Sequence, residues 1–160
     1  MHVHPFRALA LMTAGAFAGF MAAAAFVKRA VPSRGDAESD EIALVAVYDG
    51  IDLKSHAKAF KGGSILAWYG GVQVDLSEAT LAPNVHLTVH ALNGGVAIRV
   101  PPGCRIESNT HALMGGVDAR APEPESPDAP TITVEGLAVF GGITVGPKRA
   151  SSGSTVDETA

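Results

Sequence analysis

The sequence predicts an all-β fold, a short-rung β-solenoid similar to a parallel β-helix, preceded by one N-terminal transmembrane helix. Three observations predict it. A Gly-Gly phrase recurs along the chain, apolar and polar residues alternate after each copy, and a charge-free segment lies near the N-terminus. Alternation with period 2 is typical of a strand with one buried face.

The repeated phrase is a large residue, two glycines and then a short alternating strand, as in 69–76. Its second glycine stands at 50, 71, 95, 116 and 142, so the intervals are 21, 24, 21 and 26 residues. Repeats of that length are typical of solenoids. We expect the glycines to form the turns, through φ > 0 or a close backbone approach. These turn glycines are Gly50, Gly70, Gly71, Gly94, Gly95, Gly115, Gly116, Gly141 and Gly142, and in the first copy Asp49 takes the place of the first glycine.

In this prediction about five rungs stack at the strand spacing of about 4.8 Å, with Val, Ile and Leu inside. The alternative is an antiparallel β-sandwich in which the repeats are hairpins with glycine turns. The repeat length favours the stack, because hairpin repeats are commonly shorter.

Residues 1–30 are predicted to hold a membrane anchor. Ala8 to Val27 carries no charge, and Arg7, Lys28 and Arg29 bound it. Twenty helical residues span about 30 Å, the thickness of a bilayer core. A cleaved signal peptide and a buried soluble helix are the alternatives. The Lys and Arg count of the flanks favours a single-pass protein with a cytoplasmic C-terminal domain.

Residues 31–41 are rich in Pro, Ser, Gly and charge and indicate an exposed linker. The β domain is expected over 42–146, with strands at Ile65–Trp68 and Val85–His90. Residues 55–63 are polar and end in a Gly-Gly turn signal. Leu76 to Leu81 indicates one helical turn or a corner.

Later in the domain, Pro101 to Gly103 indicates a turn, and the alternating prolines and acids of 120–130 indicate an exposed loop. Two short strands are expected at Thr131–Val134 and Leu137–Phe140. Residues 147–160 are small and polar and predict a disordered tail.

Composition excludes some classes. The net charge of −4 gives no reason to expect a nucleic-acid partner, which would favour a basic patch. The one cysteine, Cys104, has no partner for an internal disulfide and is expected to be buried.

Aligning the copies on their second glycine predicts an outward column of charges. Lys54, Asp75, Arg99 and Arg120 share the same offset. We expect the first three to attract in neighbouring rungs, and Arg99 over Arg120 to be unfavourable.

No set of residues predicts catalysis, a cofactor or a metal. His86 and His90 share a strand face but lack a third ligand, so a solvated face is the expectation. His56 and His111 are expected at the surface. Asp75 and Glu78 are an acid–base candidate, but Asp75 is expected to pair with a neighbour or cap the corner. Trp68 and Tyr69 are candidates for a membrane headgroup contact, with packing at the end of a rung as the alternative.

The order of these phrases resembles the C-terminal domain of the LiaF-like proteins, the cell-wall-active-antibiotic response family. The matching runs are 60–65, 70–79 and 94–103, and the likeness covers about Ile42 to Val145. The resemblance implies a membrane-associated, non-catalytic domain of bacterial envelope-stress systems. Better-known relatives restrain a membrane histidine kinase, but they carry several apolar segments where this chain has one.

We therefore expect a membrane-anchored regulatory or interaction protein whose partner is a membrane protein, such as a histidine kinase. The alternatives are a structural solenoid that self-associates through its open ends and an enzyme on a β-helix, such as a polysaccharide lyase.

Overall fold

The computed structural model describes residues 18–19, 22–23, 25–26, 29–30, 32–120, 124 and 126–147. In chain order its strands are β1 (Glu41–Val47), β2 (Gly50–Lys54), β3 (Phe60–Trp68), β4 (Gly71–Asp75), β5 (Leu81–Leu92), β6 (Gly95–Val100), β7 (Arg105–Leu113), β8 (Gly116–Ala119), β9 (Thr131–Val139) and β10 (Gly142–Pro147). They form two five-stranded sheets, so the expected all-β class is confirmed.

Each copy of the repeat contributes one strand to each sheet. Sheet A has the order β1-β3-β5-β9-β7, and sheet B has the order β2-β4-β6-β10-β8. Every pairing between these strands is parallel. The antiparallel sandwich considered above is therefore not what the described strands form.

The order of the copies differs from their order in the chain. The fifth copy, β9 and β10, lies between the third and the fourth. The expected contact of Arg99 over Arg120 is therefore wrong, because Gly146 is the register partner of Arg99 and lies beside Arg120. Lys54, Asp75 and Arg99 do follow one another in register, as expected.

The core lies between the two sheets and is built from columns of like residues. Alternate residues point inward because side chains of a strand alternate between its faces. One column is alanine in all five strands of sheet A: Ala46, Ala67, Ala91 and Ala138 are fully buried beside the turn, and Ala112 on the edge strand β7 is exposed. The larger inward residues fill the middle, among them Ile65, Val89, Val74, Ile98 and Val145.

Buried residues match the sequence pattern in most places. Val85, Leu87 and Val89 are buried on β5, as expected. Cys104 is 2% exposed, and burial raises the pKa of its thiol. Residues 76–80 make a corner without a helix, since the Ala79 amide donates to the Leu76 carbonyl at 3.0 Å.

Two expectations about strand ends are wrong. Gly62 and Gly63 do not form a turn but lie inside β3, with φ of 123° and 141°. A Cβ on either would come within 1.8 Å of a carbonyl oxygen of a neighbouring strand, so the pair serves close approach. Residues 131–139 form one strand and not two, because Gly136, at φ 150°, continues it.

The linker is exposed, but it is held on the domain. Arg34 and Ala43 exchange backbone hydrogen bonds of 2.7 and 2.8 Å in an antiparallel bridge. The Ser33 hydroxyl accepts a hydrogen bond from the Val45 amide at 2.9 Å. The His56 amide donates to the Ala37 carbonyl at 2.6 Å. Residues 33–37 therefore cover the outer edge of β1 and the corner after β2.

No helix within the described part of the chain is long and apolar enough to cross a membrane. Most of the predicted anchor, Ala8 to Val27, lies outside the described residues, as do residues 148–160 of the predicted tail. The anchor and the tail remain predictions.

Candidate functional site

A column of large side chains runs along the turns that join the two sheets. We call it the turn stripe; in stacking order its members are Tyr48, Tyr69, Asn93, Phe140 and Met114. All of them have φ between 51° and 56°, the left-handed region. A bulky residue there is an outlier, since its Cβ crowds the backbone.

The glycine after each stripe residue explains the turn. A Cβ on Gly70 would lie 2.2 Å from the Asp49 carbonyl oxygen, and one on Gly94 would lie 2.2 Å from the Gly70 oxygen. The same collision recurs at Gly141 and Gly115, at 2.1 and 2.0 Å. Neighbouring turns therefore pack backbone to backbone, and only glycine fits this position where another turn precedes it in the stack.

Hydrogen bonds continue the sheets through the turns. The amide of Tyr69 donates to the Leu92 carbonyl at 3.0 Å, towards the next copy. The amide of Gly71 donates to the Asp49 carbonyl at 3.2 Å, towards the previous copy. The turn at Tyr69 is therefore bonded to the copies on both of its sides.

The stripe is partly exposed to solvent. Tyr48 and Tyr69 are each 43% exposed, Phe140 is 57% exposed and Met114 is 71% exposed. The two tyrosine rings stack with centroids 5.3 Å apart. Loss of solvent, with a smaller contribution from Tyr69, raises the pKa of Tyr48. Exposed apolar side chains in one row are typical of an interaction surface.

The sequence indicated the right turns but assigned the unusual dihedrals to the wrong residues. The left-handed residue is the one before the glycines, and neither glycine of the phrase has φ > 0. The first glycine serves the close approach that we expected as the other possibility. The second glycine has space: a Cβ on Gly71 or Gly116 would meet nothing within 4 Å. Tyr69 belongs to the stripe, whereas Trp68 is half-buried beside it.

Four of the five second glycines line a shallow depression on the outer face of sheet B. Its volume is about 680 Å³, and the four are Gly50, Gly71, Gly95 and Gly142. Ala97 and Thr144 also line it. The depression is open, and its lining carries no paired acid and base.

The charged residues gather at the corner that follows β4. Asp75 is 6% exposed, and its Oδ1 accepts hydrogen bonds from the Ser77 amide at 3.0 Å and from the Ser77 hydroxyl at 2.5 Å. Its Oδ2 lies 3.7 Å from the Arg99 guanidinium. Asp75 thus caps the corner and pairs with a neighbour, as expected, but it is buried and not outward.

Glu78 is half-exposed and makes the other ion pair of this corner. Its carboxylate lies 2.5 Å from the Lys54 ammonium and 3.3 Å from Nδ1 of His56. The hydrogen bond from Lys54 holds the pKa of Glu78 below its ordinary value, and the same bond raises the pKa of Lys54. Asp75 is therefore bonded to Ser77 and lies near Arg99, and Glu78 is bonded to Lys54, while the charge of Asp75 also acts on Lys54 and Glu78.

The histidines lie where the sequence placed them. His86 and His90 are exposed on the outer face of β5, and His111 is exposed on β7. Within the described residues no three His, Cys, Asp or Glu side chains are grouped closely enough to hold a metal ion.

The chain matches no protein-family model, no curated protein and no solved structure. The resemblance to the LiaF-like domain therefore remains a prediction from the quoted phrases.

Proposed function

We propose that this chain is a membrane-tethered, non-catalytic protein that presents the turn stripe to a protein partner. The observation that carries the proposal is the row of non-glycine residues at φ of 51° to 56°. Each such residue costs about 1–3 kcal/mol of backbone strain. Asn93 is a residue type that tolerates this region, but Tyr48, Tyr69, Phe140 and Met114 are not. The backbone strain at these large, exposed side chains would be offset by contacts that they make with a partner protein.

We further propose that the domain is a solenoid of five two-strand rungs. Two facts support this architecture: each copy pairs in parallel with the corresponding strands of its neighbours, and columns of alanine and of mixed Val, Ile and Leu run through the stack. The interleaved order of the last two copies makes it an unusual solenoid.

The membrane tether rests on the sequence of Ala8 to Val27. The bonds of residues 33–37 to the first copy support a close attachment of the domain to whatever precedes it. A partner in the same membrane would then meet the domain at an effective concentration near the mM range, as for a short linker. The resemblance to the LiaF-like family suggests a histidine kinase of envelope stress as that partner.

A photo-crosslinking residue in place of Phe140, in the full chain in bacterial membranes, tests the stripe directly. The expected result is a defined adduct with one membrane protein that changes on challenge with a cell-wall antibiotic. The matched control is the same residue in place of Thr88, which is exposed on sheet A away from the turns. Equal adducts at both positions would rule out the stripe as the contact.

The tether is tested by removing residues 1–30. We expect the phenotype in cells to be lost while the domain stays folded, and an unrelated single-span anchor of the same orientation to restore it. Full activity of the soluble fragment would contradict the proposal.

The second candidate is a self-assembling structural protein. The open edge of β7 favours it, because unpaired strand edges template pairing. The covered edge of β1 opposes growth into a filament, because a filament needs both ends of the stack.

A further inference from the structure

The two ends of the stack differ in whether another strand pair fits on them. At the β1 end, the antiparallel bridge of Arg34 to Ala43 occupies the strand edge. The turn of the first copy also leaves no room for a further copy. Each inner turn carries glycine where its Cβ would meet the carbonyl of the preceding turn, but the first copy carries Asp49 there. A further copy in the same geometry would place its carbonyl against the Asp49 side chain.

At the β7 end the strand edge is open. The Arg105 amide donates a hydrogen bond to the Pro130 carbonyl at 2.9 Å, and the Leu113 carbonyl accepts one from the Phe140 amide at 3.1 Å. The odd-numbered residues of β7 therefore form their backbone hydrogen bonds with the β9 side. In a parallel pair alternate residues bond to one side. The even-numbered residues therefore turn their N–H and C=O groups outward, where the described residues place no other strand: Ile106, Ser108, Thr110 and Ala112.

We infer that two copies of this chain join edge to edge through β7, antiparallel about a two-fold axis at Asn109. A second copy is the partner that fits, because a head-to-tail contact needs a free edge at the other end, and that edge is covered. A two-fold contact uses the same open edge on both copies. The result is a closed dimer and not a filament.

The register follows from the backbone hydrogen-bonding groups. In an antiparallel pair, two residues that exchange both hydrogen bonds must each direct their backbone N–H and C=O groups towards the shared edge. Pairing Ile106 with Ala112 and Ser108 with Thr110 engages every outward group of the strand. This register places the two Asn109 residues opposite each other at a non-hydrogen-bonded position.

The same register brings Glu107 opposite His111 twice, once on each side of the axis. Both side chains are exposed on the outer face of sheet A. A carboxylate opposite an imidazole is a favourable cross-strand pair. Leu113, 60% exposed, lies at the end of the same strand, opposite Arg105 of the second copy in this register.

Cysteine crosslinking of the full chain in mild detergent tests whether the two-fold axis of the dimer lies at Asn109. Cα atoms of a non-hydrogen-bonded antiparallel pair lie about 4.5 Å apart, within disulfide reach. Asn109→Cys should therefore form a disulfide-linked dimer as the main species under mild oxidation. Native Cys104 is 2% exposed and should not interfere.

Glu135→Cys is the matched control. Glu135 is exposed and is the register neighbour of Asn109 on β9. In the dimer the two copies of residue 135 lie three strand spacings apart, about 14 Å, too far for a disulfide. Equal crosslinking of the two variants, or no crosslinking of Asn109→Cys in a folded protein, would overturn the inference.

Exchanging the charges of this cross-strand pair gives an independent test, with the molecular mass measured by light scattering as the readout. Glu107→Lys alone should weaken the dimer roughly tenfold, because each of the two pairs loses its carboxylate and sets an ammonium group against an imidazole. Glu107→Lys with His111→Glu should restore it. A folded protein that stays monomeric throughout, or a double variant no better than the single one, would contradict the register.

Discussion

Asp75 and Arg99 occupy the same position in consecutive copies, and Oδ2 of Asp75 lies 3.7 Å from the Arg99 guanidinium across the sheet. The carboxylate is nearly buried, and the guanidinium is partly exposed. The register of the repeat therefore creates an ion pair that ties the second copy to the third, at the corner that Asp75 also caps through Ser77.

Asp75→Asn should destabilise the domain. The amide loses the charge that Arg99 faces and cannot accept as strongly from Ser77, and lost hydrogen bonds to a buried charge cost about 1–3 kcal/mol. Thermal unfolding measures the effect. Asp52→Asn is the control, because Asp52 is exposed and its carboxylate accepts only a 3.2 Å bond from Gln73. Equal melting temperatures for the two variants would mean that the corner does not depend on the charge. Loss of activity in Asp75→Asn without loss of stability would instead indicate a chemical role.

The two glycines of one phrase should respond differently to alanine. In Gly94→Ala the new Cβ would lie 2.2 Å from the Gly70 carbonyl oxygen, so the turns must separate. In Gly95→Ala the nearest atom is 3.9 Å away. We expect a loss of more than about 3 kcal/mol for the first and less than about 1 kcal/mol for the second, from chemical denaturation. The reverse order would show that the turns pack otherwise. Gly95→Val is not expected to suffer the positive-φ strain that the sequence suggested.

Phe140→Asn should keep or raise the stability of the domain while it removes an exposed ring. Asparagine accepts the left-handed conformation, so the strain at φ 51° falls, by an amount on the order of 1 kcal/mol. The melting temperature of the variant gives the answer. A large fall would mean that the ring stabilises the fold itself, and the argument for a partner surface would lose its basis.

Lys54→Ala should raise the pKa of Glu78 towards its ordinary value, because the Lys54 hydrogen bond is the main cause of the lowering. Carboxyl carbon NMR measures it directly. The sign for stability follows: a carboxyl whose folded pKa is lowered contributes above its unfolded pKa, and the contribution is lost as the pH falls through the folded value. The acid side of the pH–stability profile should therefore flatten slightly in the variant. An unmoved Glu78 titration would show that the ion pair does not form in solution.

The sequence was sufficient for most of the strands and for the turns of the repeated phrase but not for the order of the copies. Alternation around Val85, Leu87 and Val89 specifies which face is buried, because a one-residue slip would expose the whole set. The same alternation fits any stacking order, since residues at equal offsets pair in register whichever copies are neighbours. The one hint of this order in the sequence was the length of the loop at 120–130. A loop of that length allows the chain to pass back and place the fifth copy between the third and the fourth.

The turn stripe was missed for a different reason. Positive φ is normally assigned to glycine, and each phrase offers two glycines beside the residue that adopts it. Gly70 is required because its backbone lies close to that of Asp49, and not because of a positive φ. The residue with the left-handed backbone conformation is Tyr69. Only the distance between neighbouring turns distinguishes these assignments, and a single copy of the phrase does not contain that distance.

The interleaved order of the last two copies bears on how the domain is assembled during synthesis. Chains emerge N-terminus first, so the first three copies can be added one on another as they leave the ribosome. The fourth copy emerges before β9 and β10, its neighbours in both sheets, exist. We expect its strands to pair fully only after the C-terminal residues have been synthesised. Since β10 is paired on both sides, a copy appended after Pro147 would start from the middle of a sheet. Such a copy would have to pass the fourth copy to reach the open edge of β7, just as the chain passes over one position between β6 and β7.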